Sequence, residues 1–375
     1  CTGFPWPQRR ITVGLSPAWL PKFGSGLDLP IALAVLAGDG RCDPAILDRT
    51  IAVGELRLDG RVGAVRGVLP IALAAARWGF RRIIVPRANA SEAALVPDLD
   101  VVAVGSLGHA LRVLGVDCTI GEEGDAPLDV TNEPAVVKDL ADVRGQSAAK
   151  FALEVAAAGG HHIALLGPPG VGKTLLAERL PTILPPLDAE EALEVTAVQS
   201  VMRDCTPGLV TTAPFAAPHH GASAAAVIGG GRAHPRVGLI SMAHRGVLFL
   251  DEAPEFNATV LEALRQPLES GTIAIARSEF AVLLPARFQL VIAANPCPCG
   301  QAFDRRGRCT CTPVQRRKYL GRISGPLMDR IDVRVIVEAP SPHELALGAA
   351  PASESSADVA RRVLAARDRQ RRRYA

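Results

Sequence analysis

Residues 163–174 read Ile163-Ala164-Leu165-Leu166-Gly167-Pro168-Pro169-Gly170-Val171-Gly172-Lys173-Thr174. A short apolar run feeds a loop of the form G-x-x-x-x-G-K-[ST], and an apolar stretch, Leu175 to Leu180, follows it. The spacing predicts a strand, a glycine-rich loop and the start of a helix. In that setting backbone N–H groups curl around an anion, and the positive end of the helix dipole faces the same point. Gly167, Pro168, Pro169, Gly170, Val171 and Gly172 would form the cradle. Lys173 is spaced to reach β- and γ-phosphates, and Thr174 to hold Mg²⁺. The pattern implies a bound nucleoside triphosphate, with ATP and Mg²⁺ as the expected cofactors.

The rest of a hydrolytic site can be sought downstream. Val247-Leu248-Phe249-Leu250 ends in Asp251-Glu252, 78 residues beyond Lys173. This is the form of a Walker B strand, with Asp251 in the Mg²⁺ shell and Glu252 activating the attacking water. Acidic residues also follow many apolar strands, but behind a phosphate loop the pattern gains meaning. Asn295 ends the next apolar strand, Phe288 to Ala293, where a polar side chain would fix the lytic water. Arg330 precedes the apolar run Val333 to Val337 and could reach a neighbouring subunit's γ-phosphate; the alternative is an ion pair with Asp329 or Asp332. Upstream, Val143-Arg144-Gly145-Gln146 precedes the predicted helix Ala148 to Ala158, which puts Gln146 against base and ribose, or makes it only a helix cap.

Composition places these motifs in an α/β protein of two or three domains. Of 375 residues 48% are hydrophobic and only 4% aromatic, with 35 Gly and 30 Pro. A net charge of +3 does not announce nucleic acid by itself. The charge is uneven, however: basic residues gather after residue 300, and Gly121 to Asp142 is acidic. The longest apolar run, Leu29 to Ala37, is about half a membrane span, so no membrane partner is expected. No signal peptide is visible, and the chain opens in an expected strand and closes in an Arg-rich helix, as a fragment of a longer protein would.

Residues 1–118 alternate expected strands (Arg10 to Leu15, Ile51 to Leu56, Arg82 to Pro86) with expected helices (Asp28 to Ala37, Val68 to Trp78). An acidic linker is expected over 119–136, a second α/β unit over 137–340, and a helix rich in Arg within 341–375.

Several stretches together resemble AAA+ ATPases of the magnesium-chelatase-like branch, and within it the YifB/ComM family. They are Asp142 to Gln146, the phosphate loop, Ala216-Ala217-Pro218-His219-His220, and Gly229-Gly230-Gly231. Ala243 to Glu252, Arg265 to Glu269, Asn295 to Gly300 and Arg322 to Arg330 complete the likeness, which covers nearly the whole chain. The resemblance implies an α/β fold: a three-layer AAA+ P-loop NTPase sandwich, preceded by a Lon-protease-like α+β domain and followed by a truncated C-terminal helical lid. It also implies a homo-oligomeric ring, a hexamer, that hydrolyses ATP. In the ComM branch it implies a DNA helicase driving branch migration on single-stranded or branched DNA in natural transformation. A chelatase ATPase subunit and an ATP-dependent protease are the rival readings.

The first unit carries Pro21-Lys22-Phe23-Gly24-Ser25-Gly26, like the turn before the serine of Lon-type proteases. The serine position falls on Gly26 and the lysine position near Leu69, and no lysine occurs between Lys22 and Lys138. A Ser-Lys mechanism needs that lysine as base. The unit is therefore expected to serve assembly or binding and not to cleave peptides.

Four of the eight cysteines form two C-x-C pairs, Cys297 with Cys299 and Cys309 with Cys311. Four thiolates on two short turns can close a tetrahedral Zn²⁺ site; two disulfides or free thiols are the alternative. A metal site suits a reducing, cytoplasmic setting. Around the second pair Arg305, Arg306, Arg308, Arg316, Arg317, Lys318 and Arg322 crowd together, with Tyr319 available for stacking. Basic groups beside an aromatic suit a single strand of DNA, and a solvated charged face is the equal alternative. The same two readings apply to Arg277 in the turn of a hairpin expected over Thr272 to Leu284, and to the insert Gly221 to Arg236 with Arg232, His234 and Arg236. His219 and His220 lack a third ligand that would make them a metal site.

Overall fold

The computed structural model describes residues 3–19, 22, 24–118, 138–202, 208–230, 236–276, 281–302, 308–339 and 354–374. They form two compact units.

The first unit is built on a parallel three-stranded sheet. Its strands are β1 (Thr50–Ala52), β2 (Arg82–Pro86) and β3 (Asp100–Val104), in that order, with Thr50 opposite Arg82 and Arg82 opposite Asp100. Alternate side chains leave opposite faces of β2. Ile83 and Val85 pack under α2 (Val68–Arg77), while Ile84 meets Leu29 and Leu33 of α1 (Asp28–Gly38) and Leu111 of α3 (Leu107–Val113). Helix α2 buries Val68, Leu69, Ala72 and Ala75, a stripe at helical spacing. The stretch Arg10 to Leu15 is not a strand, because no other described strand pairs with it. Residues Ala192–Val210, from the chain's second half, also belong to this unit. There the Ser200 carbonyl accepts from Gly67 N–H at 2.9 Å.

The second unit holds a five-stranded parallel sheet. Its strands are β4 (Ile163–Leu166), β5 (Phe215–Ala216), β6 (Val247–Leu250), β9 (Gln289–Ala294) and β10 (Val333–Ile336), in the order β10-β4-β9-β6-β5. The register places Val291 opposite Ile163 and Val247 opposite Gln289. Because helices cover both faces, the central strands are apolar on both sides. Ile163, Leu165, Phe249 and Val291 pack with Leu153 of α4 (Ser147–Gly159), whereas Leu248, Leu250, Leu290 and Ile292 meet Val260 of α8 (Ala258–Ala263). This is the α/β architecture with a parallel sheet that the phosphate loop implied. Between these strands run α5 (Lys173–Ala177), α6 (Leu180–Ile183) and α9 (Arg265–Ser270), while α7 (Ala189–Met202) starts here and belongs from Ala192 onward to the first unit. The expected hairpin is present as β7 (Thr272–Ala276) and β8 (Ala281–Pro285), antiparallel, with Thr272 opposite Pro285.

After β9 come α10 (Pro313–Leu320), α11 (Gly325–Met328) and, last, α12 (Ser356–Tyr374). The Arg-rich α12 lies against the core: Val359 and Val363 are buried with α4, and Arg362 grips Glu154 through two bonds of 2.6 and 2.8 Å. Among the described residues no helix is long and apolar enough to cross a membrane.

Candidate nucleotide site

The loop between β4 and α5 turns where its glycines allow it. Gly170 and Gly172 sit at φ +77° and +93°, in the left-handed region that β-carbons disfavour. Gly167 packs so closely under the last strand that an added β-carbon would strike the carbonyl of Val337. The Lys173 ammonium, with its residue 8% exposed, donates to the carbonyls of Gly167 (2.7 Å) and Pro168 (2.8 Å) and to Asn295 Oδ1 (3.1 Å). Burial holds its pKa below the ordinary lysine value, and the carboxylates of Asp251 and Glu252 offset only part of that shift.

The register β4-β9-β6 carries three loops to one edge of the sheet. Thr174 Oγ1 donates to Asp251 Oδ2 at 2.8 Å, across 77 residues of sequence. Lys173, Thr174, Asp251, Glu252 and Asn295 line one cavity of about 330 Å³ with Pro169, Gly170 and Gly172. A hydroxyl and a carboxylate in contact beside an ammonium are the donor set a phosphate-bound Mg²⁺ requires, so these residues fit MgATP. Glu252 has a left-handed backbone, φ +50°, a strained geometry concentrated at functional sites. His220 Nδ1 lies 3.5 Å from Glu252 Oε2, and the ring of His219 lies 4.1 Å from that of His220. His220 thus stands beside a cleft carboxylate without lining the cavity itself, a neighbourhood no sequence spacing could have shown because it follows a different strand.

Gln146 joins two loops beside the phosphate-binding turn. From a left-handed backbone its amide donates to the carbonyls of Val171 (3.2 Å) and Glu338 (2.6 Å), pinning the phosphate loop to the end of β10. Arg330 is not among the residues lining the cavity. Its guanidinium pairs with Glu269 and donates to the Pro326 carbonyl, and not to the neighbouring Asp329 or Asp332.

Comparison with known proteins agrees with this geometry. The family model described as magnesium chelatase, subunit ChlI, matches residues 139–345, and that described as subunit ChlI of Mg-chelatase matches 1–89. An uncharacterized protein of Mycobacterium tuberculosis is 50% identical over 99% of this chain and 73% of its own length. YifB of Escherichia coli is 43% identical over 99% of this chain and 72% of its own. Competence protein ComM of Haemophilus influenzae is also 43% identical, with the same coverage. The chain belongs to the YifB/ComM family. It is therefore an AAA+ ATPase of the magnesium-chelatase-like branch.

In this YifB/ComM-family chain the cysteine pairs converge. Sγ of Cys297 lies 3.4 Å from Cys299 and 3.7 Å from Cys309, and Cys299 lies 3.5 Å from Cys309. All four Sγ atoms, Cys311 included, fall within 4.8 Å of one another. A disulfide needs about 2.05 Å, which rules out the disulfide alternative here. A tetrahedral Zn²⁺ with bonds of about 2.3 Å puts its sulfurs about 3.8 Å apart. The thiols fit that shell. A backbone N–H from Gln301 draws the Cys299 thiol down to about 6, and burial pushes Cys297 up to about 11.

The basic cluster divides. Arg277, Arg305, Arg306, Arg232 and His234 lie outside the described residues. Arg316 donates to Cys309 Sγ at 3.2 Å, and Arg322 binds Glu255 at 2.9 Å, whereas Arg317 and Lys318 are exposed. Tyr319 corrects the expectation of a stacking platform: it is 6% exposed, and burial, with Glu255 and Glu252 adding, pushes its phenol up to about 12. Its ring is a core contact under α10.

Proposed function

We propose that this chain is an ATP-hydrolysing ring motor, a hexamer of the YifB/ComM type, that acts on single-stranded or branched DNA as a branch-migration helicase in transformation and recombination, in the cytoplasm. The observation that carries the ATPase part is the meeting of Lys173, Thr174, Asp251, Glu252 and Asn295 around one cavity. Lys173 holds the β/γ-phosphate oxygens. Thr174 and Asp251 hold Mg²⁺, which when bound supplies charge neutralisation at the transferring phosphoryl group. Glu252 accepts the proton of the attacking water, and Asn295 orients that water. Arg330 serves the next subunit's cleft as an arginine finger; its absence from its own cavity supports this.

The DNA part rests on the likeness to competence protein ComM and on the exposed Arg317 and Lys318. Arg277, Arg305 and Arg306 are further DNA contacts in this reading. The four thiolates hold a structural Zn²⁺, whose saturated shell leaves no open position for chemistry. Residues 1–118 form a Lon-like unit without peptidase activity, and residues 341–375 begin a helical lid.

The test is ATP turnover with and without single-stranded and forked DNA, beside Lys173→Ala. Stimulation by DNA in the wild type, and none in the variant, is the expected result. The match to magnesium chelatase favours a second reading, remodelling of a protein partner, and turnover indifferent to DNA would select it.

A further inference from the structure

The four-thiol cluster shares its backbone with the nucleotide cleft. Asn295, which accepts from the Lys173 ammonium, stands two residues before the fully buried Cys297. The turn that follows closes with Gly300 N–H donating to the Cys297 carbonyl at 2.9 Å, and it holds Gly300 at φ +75°. There the glycine lies flat against the phosphate loop. A β-carbon on Gly300 would sit 2.6 Å from Pro169 Cδ and 3.1 Å from Pro169 Cγ. Past the second cysteine pair, Arg316 donates to Cys309, and α10 leads to Arg322. Arg322 binds the Pro254 carbonyl at 3.1 Å and Glu255 at 2.9 Å, in the turn directly after Asp251 and Glu252. The cluster is therefore tied to three walls of the cleft by contacts of three kinds.

Thiols by themselves hold such a loop weakly, since S–H is a poor donor and sulfur a poor acceptor. A tetrahedral thiolate–zinc shell contributes folding energy outright and locks both turns at once. We infer that zinc in the Cys297, Cys299, Cys309 and Cys311 cluster is a positioning element of the nucleotide site: it seats Gly300 against Pro169 and holds Asn295 toward Lys173, so that nucleotide affinity depends on the metal. None of the four cysteines lines the nucleotide cavity. This rests on the readings that the cleft takes ATP and that the cluster takes zinc. It adds that the two sites are one mechanical unit, which neither reading requires.

The test uses the whole chain with its metal, measuring zinc content by atomic emission and affinity with a fluorescent ADP. Wild type and Gly300→Ala are expected to hold about one zinc per chain, and Cys309→Ser none. The dissociation constant should rise roughly tenfold in zinc-stripped wild type, in Cys309→Ser and in Gly300→Ala, as displaced catalytic groups produce. Adding zinc back should restore the stripped wild type alone. Gly300→Ala keeps the question open to refutation if Cys309→Ser fails to fold, because it leaves the four ligands in place and disturbs the turn at Gly300 together with its seat on Pro169. Wild-type affinity in a folded, zinc-free chain overturns the inference, as does wild-type affinity in Gly300→Ala. A wild type that binds nucleotide but no zinc overturns it through the metal reading. One that holds zinc but binds no nucleotide fails the ATP reading and takes the inference with it.

Discussion

Two of the hydroxyl–carboxylate contacts in this chain have different consequences. In the nucleotide cleft Thr174 donates to Asp251. In the first unit Ser25 donates to Glu55. Around Thr174 the sheet register adds an ammonium, a second carboxylate and a carboxamide, all open to one cavity. Around Ser25 nothing comparable gathers among the described residues. Lys22, three residues away, donates to the carbonyls of Leu15 and Pro17 instead, and Leu69, near the position of the protease-like lysine, is fully buried in the apolar core. A hydroxyl becomes chemically useful when a base or a cation shares its space, and an isolated pair is a structural contact.

The comparison can be attacked experimentally. Arg330→Ala should lower ATP turnover by about 10³-fold, the scale of a lost arginine finger. Mixing it with Lys173→Ala should restore part of the turnover, measured by phosphate release; no recovery in mixed assemblies would show that the cleft is complete within one chain. Glu252→Gln should reduce single-turnover hydrolysis by roughly 10²- to 10⁴-fold while nucleotide affinity stays near wild type. His220→Ala removes the imidazole beside Glu252, and turnover is expected to change by roughly tenfold with affinity held. In the first unit, Leu69→Ala should cost about 2–5 kcal/mol in a denaturant melt, because this is a core position and not a catalytic one. Ser25→Ala is the smallest change, expected within about 0.5 kcal/mol in stability and without effect on ATP turnover. Peptide cleavage that disappears in Ser25→Ala would break the contrast altogether.

Legibility in the sequence follows the range of each interaction. The phosphate loop, β4 and the β6 strand with Asp251 and Glu252 are readable because each is a local pattern of apolar run and chemistry-bearing turn. The central strands are recognisable for the same reason: buried on both faces, they must be apolar throughout. Arg10 to Leu15 has a comparable pattern and no described partner, so its alternation produced no strand. Tyr319 looked like a surface ring among basic residues, yet α10 turns it inward. One-dimensional spacing carries no sign for which side of a short helix is covered.

Residue order alone therefore settled the type of site, the donor set for a phosphate and a divalent cation, and the four thiols. These are encoded in contiguous residues whose backbone conformation is dictated by glycine, proline and apolar periodicity. The tertiary structure decided the rest. It put Gln146 on Val171 and Glu338, His220 beside Glu252, Arg330 on Glu269 and Gly300 under Pro169. Each of those contacts joins separate strands or loops, and only the parallel register and the packing of both faces of the sheet determine which loops share an edge.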